Sequence, residues 1–167
     1  MLVVTSSRRE FIVGQDEPLI PGRGAHMQQP RNYADPAKTV YIPAGALKFG
    51  IEYRHLQGDQ GICIHVFGEV SGREEEVLRF DCFQRAPHYH YAWSTNDQYV
   101  TLDTTADGDP FQWTLERIRT RLPAMLIRAG ASDLARTFDQ RDVDAALPKI
   151  TGWAEALQTQ DRVQQSS

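Results

Sequence analysis

The stretch ALKFGIEYRH, residues 46–55, decides the fold. Leu47, Phe49, Ile51 and Tyr53 alternate with Lys48, Glu52 and Arg54. A period of two puts the apolar set on one side of a half-buried strand. Working outward, residues 58–61 (GDQG) read as a turn, and 62–70 (ICIHVFGEV) and 77–83 (VLRFDCF) as the next two strands, joined by Ser71-Gly72-Arg73. Residues 88–93 (HYHYAW) and 99–102 (YVTL) read as two more. Short strands in succession with turns between them predict an antiparallel meander.

Helices follow. Asp109 is a natural N-cap and Pro110 a natural first residue, while Phe111, Leu115, Ile118, Leu122, Met125, Leu126 and Ala129 recur at helical spacing up to Gly130. Pro123 falls inside this run and is expected to kink it. Shorter helices are predicted over 133–138 and 143–157, and residues 158–167 read as a polar, frayed tail. In the other direction, Pro18, Pro21, Pro30 and Pro36 make residues 1–40 an irregular arm. Within it, Phe11-Ile12-Val13 suits an edge strand, and Ile20, Met27 and Tyr33 suit packing on a neighbouring surface. The expected architecture is α+β, with one domain over 41–157. It is a curled antiparallel meander of about five strands, packed against a long C-terminal helix plus shorter helices.

Composition narrows the class. With 41% apolar and 24% charged residues the chain is an ordinary globular protein. Two cysteines, Cys63 and Cys82, both in apolar runs, read as reduced core thiols of a cytoplasmic protein. The N-terminus lacks the pattern of a signal peptide, and no segment approaches a membrane span. A net charge of −4 argues against a dedicated nucleic-acid binder.

Register nominates one patch. Pairing Ile64 with Phe80 and Val66 with Leu78 seals an apolar face, and then Cys63 opposes Asp81 and His65 opposes Arg79 on the other face. His88 and His90 alternate with Tyr89 and Tyr91, so both imidazoles point one way from a strand expected beside Arg79 and Asp81. Such a set has two chemical uses. The HxH pair can ligate a divalent metal, with Asp81 or His65 as third ligand. Alternatively, His88 or His90 serves as general acid or base while Arg79 grips an anionic group. Against both stands an ordinary reading in which the histidines are packed strand residues and Arg79–Asp81 is an ion pair. HxH alone fixes neither a third nor a fourth ligand, so no cofactor is asserted.

Other features are weaker. Arg117, Arg121 and Arg128 form a stripe suited to phosphate or an acidic partner, yet such stripes are usually solvated. Gly22-Arg23-Gly24 lacks the context of a phosphate loop. Glu74-Glu75-Glu76 reads as a solvated strand end.

The segments Arg79-Phe80-Asp81-Cys82-Phe83, Pro87-His88-Tyr89-His90-Tyr91 and Trp113-Thr114-Leu115-Glu116-Arg117, leading to Leu122-Pro123, resemble a small family of bacterial domains of unknown function. That resemblance spans roughly residues 42–130 and implies no activity. More loosely, the order Arg-x-Asp, HxHY, helix is similar to toxin-like proteins of toxin–antitoxin pairs, which implies a ribonuclease-like site at Arg79, Asp81, His88 and His90. The acidic charge, the arm and the helices beyond Gly130 depart from that pattern. The first expected function is a binding or accessory module. It contacts a partner protein, a second copy of itself or a small anionic ligand through the His/Arg/Asp face. The second is a histidine-dependent hydrolase or ribonuclease.

Overall fold

The structure is a computed structural model that describes residues 33–167. The expectations for Phe11, Ile20, Met27 and the Gly22-Arg23-Gly24 loop lie outside the described residues. Tyr33–Ser167 forms one compact unit.

The sheet is antiparallel and runs in chain order. Its strands are β1 (Val40–Ala44), β2 (Leu47–Leu56), β3 (Asp59–Val70), β4 (Arg73–Phe83), β5 (His88–Tyr91) and β6 (Gln98–Thr101). The meander is therefore as expected, with one strand more. β1 is hard to read because Pro43 interrupts a five-residue segment. An edge strand tolerates proline, since one row of its N–H groups needs no ladder partner.

Helices α1 (Thr104–Asp107), α2 (Pro110–Thr120), α3 (Leu122–Arg128), α4 (Ser132–Thr137) and α5 (Gln140–Gln165) complete the fold. The single kinked helix expected over 110–129 is in fact two helices. Arg121, at φ −128° and ψ 0°, leaves the helical region, and Pro123 sits in the first turn of α3. Proline fits a first turn because its missing N–H has no partner there anyway. The tail is also corrected. α5 stays helical to Gln165, with Asp161 accepting from His55 Nε2 at 2.6 Å and Gln165 Nε2 donating to Gln60 at 3.2 Å.

α2, α3 and α5 bury one face of the sheet. Phe49, Ile51, Ile62, Ile64, Val66, Leu78 and Phe80 are sealed from solvent there, against Ile118, Leu122, Leu126 and Ile150. Gly68 allows α4 to approach, because a Cβ at that position would overlap the end of Leu134. No helix among the described residues is long and apolar enough to cross a membrane.

The β3–β4 ladder carries one irregularity that shapes the other face. Ile64 pairs with Phe80, His65 with Arg79 and Val66 with Leu78, but Phe67 pairs with Glu76. Val77 is thus an extra residue, a bulge that interrupts the alternation of β4. The turn itself is two residues, since Val70 pairs with Arg73 across Ser71-Gly72. Bulge and short turn together give the register that a three-residue turn would have given.

Candidate metal centre on the polar sheet face

Two groups of ionisable side chains occupy the sheet face opposite α2 and α3. In the first, His65 is fully buried on β3 between two glutamates. Its Nδ1 lies 2.7 Å from Glu76 Oε1 and its Nε2 2.8 Å from Glu52 Oε1. Carboxylates only accept once ionised, so both ring nitrogens donate and the ring is an imidazolium. Burial alone would lower the His65 pKa, but the hydrogen bonds that it donates to the two glutamates raise it. Both glutamates are in turn held below their ordinary range: burial opposes this, but His65 together with Arg54 beside Glu52 and Arg79 beside Glu76 outweighs it.

Arg79 belongs to this group. Its Nε and Nη2 donate to Glu76 at 2.6 and 2.9 Å, and its guanidinium lies 3.7 Å from the centroid of the Trp93 ring. Two expectations change here. Glu76 is buried rather than a solvated strand end, and Arg79 pairs with Glu76 rather than with Asp81. The Val77 bulge is the cause, because without it residues 76 and 79 would face opposite ways.

The second group is assembled by β4 and β5. Asp81 pairs with His88 across the ladder, and His90 lies two residues further along the same side of β5. His88 Nε2 is 3.1 Å and His90 Nε2 3.3 Å from Asp81 Oδ2. The three ligand atoms all lie within 4.8 Å of one another. The outward nitrogens are fixed too. His88 Nδ1 contacts the Ala86 carbonyl oxygen at 2.8 Å, and His90 Nδ1 contacts Asp97 Oδ1 at 2.6 Å. A carbonyl and a carboxylate are acceptors, so each Nδ1 carries its proton and each Nε2 faces Asp81.

That geometry has an electrostatic consequence. Two neutral imidazoles with Nδ1–H would aim two Nε2 lone pairs at an ionised carboxylate. Positive charge has to enter the gap, as protons on the rings or as a cation between the three atoms. Asp81 is held well below the usual carboxylate range: burial pushes it up, but contacts with His88 and His90 outweigh that. Burial pushes the His88 pKa down, and Asp81 more than reverses it.

Supporting contacts hold each member in place. Cys63 donates its S–H to Asp81 Oδ1 at 2.8 Å, leaving Oδ2 to the histidines. Burial, with the Asp81 charge beside it, raises the Cys63 pKa well above the ordinary value, so the thiol keeps its proton. The β4–β5 turn is tied down by Asp59, whose carboxylate accepts from the N–H groups of Arg85 at 3.0 Å and Ala86 at 2.8 Å. This fixes the Ala86 carbonyl that orients His88. Aromatic rings wall the site: Phe83 lies edge-on to His88, Trp93 edge-on to His90, and Tyr99 against both.

Of the residues nominated from sequence, the structure brings Asp81, His88 and His90 together and puts Arg79 and His65 in the neighbouring ionic group. Sequence reasoning missed Glu52, Asp97, Trp93 and Tyr99. Glu52 carried a signal, since it shares a face with Lys48 and Arg54 opposite the core. Asp97 carried none, because it reaches His90 from an irregular turn.

A family model described as Domain of unknown function (DUF7700) matches residues 41–154, well over half of the chain. The chain belongs to the DUF7700 family. No curated protein and no solved structure matches it. The DUF7700 match runs from β1 into α5 and includes every residue of both ionisable groups.

Proposed function

We propose that this DUF7700 protein binds one divalent transition-metal ion through Asp81 Oδ2, His88 Nε2 and His90 Nε2. One observation carries the reading: the three atoms converge while both Nδ1 protons are already committed. Metal–nitrogen and metal–oxygen bonds of about 2.1 Å require donor atoms roughly 3.0 Å apart at right angles and roughly 3.4 Å apart in a tetrahedron. The Nε2–Oδ2 separations of 3.1 and 3.3 Å fall between these values. A carboxylate holding the second nitrogen of a ligating histidine, as Asp97 does for His90, is the usual support of such a ligand. Two imidazoles with one carboxylate favour zinc, iron, cobalt or manganese over calcium and magnesium, which prefer oxygen alone.

This narrows the expected ligand-binding face to a single ion. Arg79, engaged by Glu76, stays outside it. The test is metal content and affinity. The full chain, stripped with a chelator and dialysed against zinc(II) or cobalt(II), is expected to retain one ion per chain, and His88→Gln with His90→Gln is expected to retain none. A wild-type protein with no more bound metal than the double variant refutes the proposal. The ion's chemistry then decides between a metal-dependent enzyme and a binding module.

A further inference from the structure

We propose that an ion held by Asp81, His88 and His90 keeps open coordination positions on its outer side and accepts a small anionic oxygen or nitrogen donor there, entering past Tyr99. This rests on the metal reading and goes on to name what the ion binds.

The argument begins with donor count and direction. Asp81 and His88 are direct cross-strand partners, and His90 is the next residue on the same side of β5. All three ligand atoms therefore rise from one sheet face, and an ion above them is gripped from one side only. Zinc takes four ligands, and iron, cobalt or manganese up to six, so three protein atoms leave between one and three positions to fill. Neighbouring polar groups among the described residues are committed elsewhere. The Cys63 thiol donates to Asp81 Oδ1, the Asp97 carboxylate holds His90 Nδ1, and Arg79 donates to Glu76.

Access and charge agree. Phe83 and Trp93 are buried, whereas Tyr99 is 54% exposed while lying 4.5 and 5.4 Å, ring centroid to ring centroid, from His88 and His90. Tyr99 is the aromatic wall that borders both the imidazoles and solvent. Its strand, β6, pairs with β5 and is the last strand of the sheet among the described residues, so no further described strand covers it. A divalent ion with two neutral imidazoles and one carboxylate keeps a charge of +1, which favours an anion in the open positions.

The experiment uses cobalt(II), whose visible and paramagnetic spectra report its ligands. The full chain is loaded with one equivalent of cobalt(II) and titrated with sodium azide, then separately with acetate. A saturable change in the ligand-field spectrum is expected with both. Cobalt(II) bound at one per chain with a spectrum that azide and acetate leave unmoved overturns the open positions while sparing the metal site. Failure to bind cobalt(II) overturns the metal reading and this inference together. The entry side has its own readout: Tyr99→Ala is expected to shift azide half-saturation by about fivefold or more, roughly 1 kcal/mol, while cobalt(II) still binds at one per chain. An azide half-saturation equal to wild type overturns entry past Tyr99.

Discussion

Replacing Glu76 by Gln removes one charge from the most enclosed ionic group among the described residues, and the contacts set the size of the effect. Glu76 Oε1 lies 2.7 Å from His65 Nδ1 and 2.6 Å from Arg79 Nε, and Oε2 lies 2.9 Å from Arg79 Nη2. Glutamine keeps one acceptor, so the contacts at Oε1 persist in weakened form. The amide N–H₂ in place of Oε2 meets an Arg79 donor, and that contact is lost. Hydrogen bonds to charged groups contribute about 1.5–3 kcal/mol each, and stripping one partner from a buried ion pair costs about 3–5 kcal/mol. Because one acceptor and the stacking of Arg79 on Trp93 survive, the expected loss is about 3 kcal/mol, at the low end of that range. The assay is urea unfolding in the presence of chelator, comparing midpoints at constant m-value. In an Arg79→Met background the same change is expected to cost less than about 1 kcal/mol, since the surplus cation is gone. A loss below about 1 kcal/mol in the wild-type background refutes the reasoning, because it would mean that Arg79 is satisfied without the second Glu76 oxygen.

Four further outcomes follow from the structure. His65 binds its proton more tightly folded than unfolded, so its contribution is complete below the unfolded value of about 6.5 and fades as pH climbs through the higher folded value; the His65 ring resonance should titrate above about 6.5, and a midpoint below that contradicts the imidazolium. Glu52 and Glu76 act in the opposite sense, contributing above their unfolded value of about 4.3 and losing that as pH falls through their depressed folded values, so acid unfolding of Glu76→Gln should be less steep over that range. Asp97→Asn should weaken cobalt(II) binding by about 10–100-fold with little change in unfolding midpoint of the chelator-treated protein, and unaltered affinity would remove Asp97 from the site. Gly61→Ala would drive a Cβ into the Cys82 carbonyl oxygen, a backbone atom that cannot step aside, and should cost about 2–3 kcal/mol by thermal or urea unfolding, a loss under about 1 kcal/mol counting against the close strand approach.

Much of this architecture is legible in residue order alone. Alternation in 46–55, and the apolar pairings of Ile64 with Phe80 and Val66 with Leu78, are enough to put Cys63 against Asp81 and His65 against Arg79. The HYHY run then brings both imidazoles to Asp81 once β5 joins β4. What escapes such reasoning depends on departures from period. Glu76 looks solvated because it ends a run of three glutamates just after a tight turn, and a bulge has no sequence mark in Glu-Val-Leu. Asp97 comes from a turn, where no period applies. Arg121 ends α2 because the next helix starts at Leu122-Pro123, a choice that helical spacing does not encode, since the apolar residues keep the same phase across the break.

Val77 acts as a one-residue phase shifter. On its two sides, β4 obeys opposite parity rules: residues 79 and 81 serve the polar side by being odd, and residue 76 by being even. Deleting Val77 would thus do more than shorten a strand. It would rotate everything from Arg73 to Glu76 by half a turn relative to Arg79 and Asp81, carrying a carboxylate toward the greasy side. The β4–β5 hairpin beyond it, which carries Asp81, His88 and His90, would keep its own parity. A single extra residue therefore joins Glu76 to His65 and Arg79, and a phase change on its turn side would break that group while leaving Asp81, His88 and His90 in register.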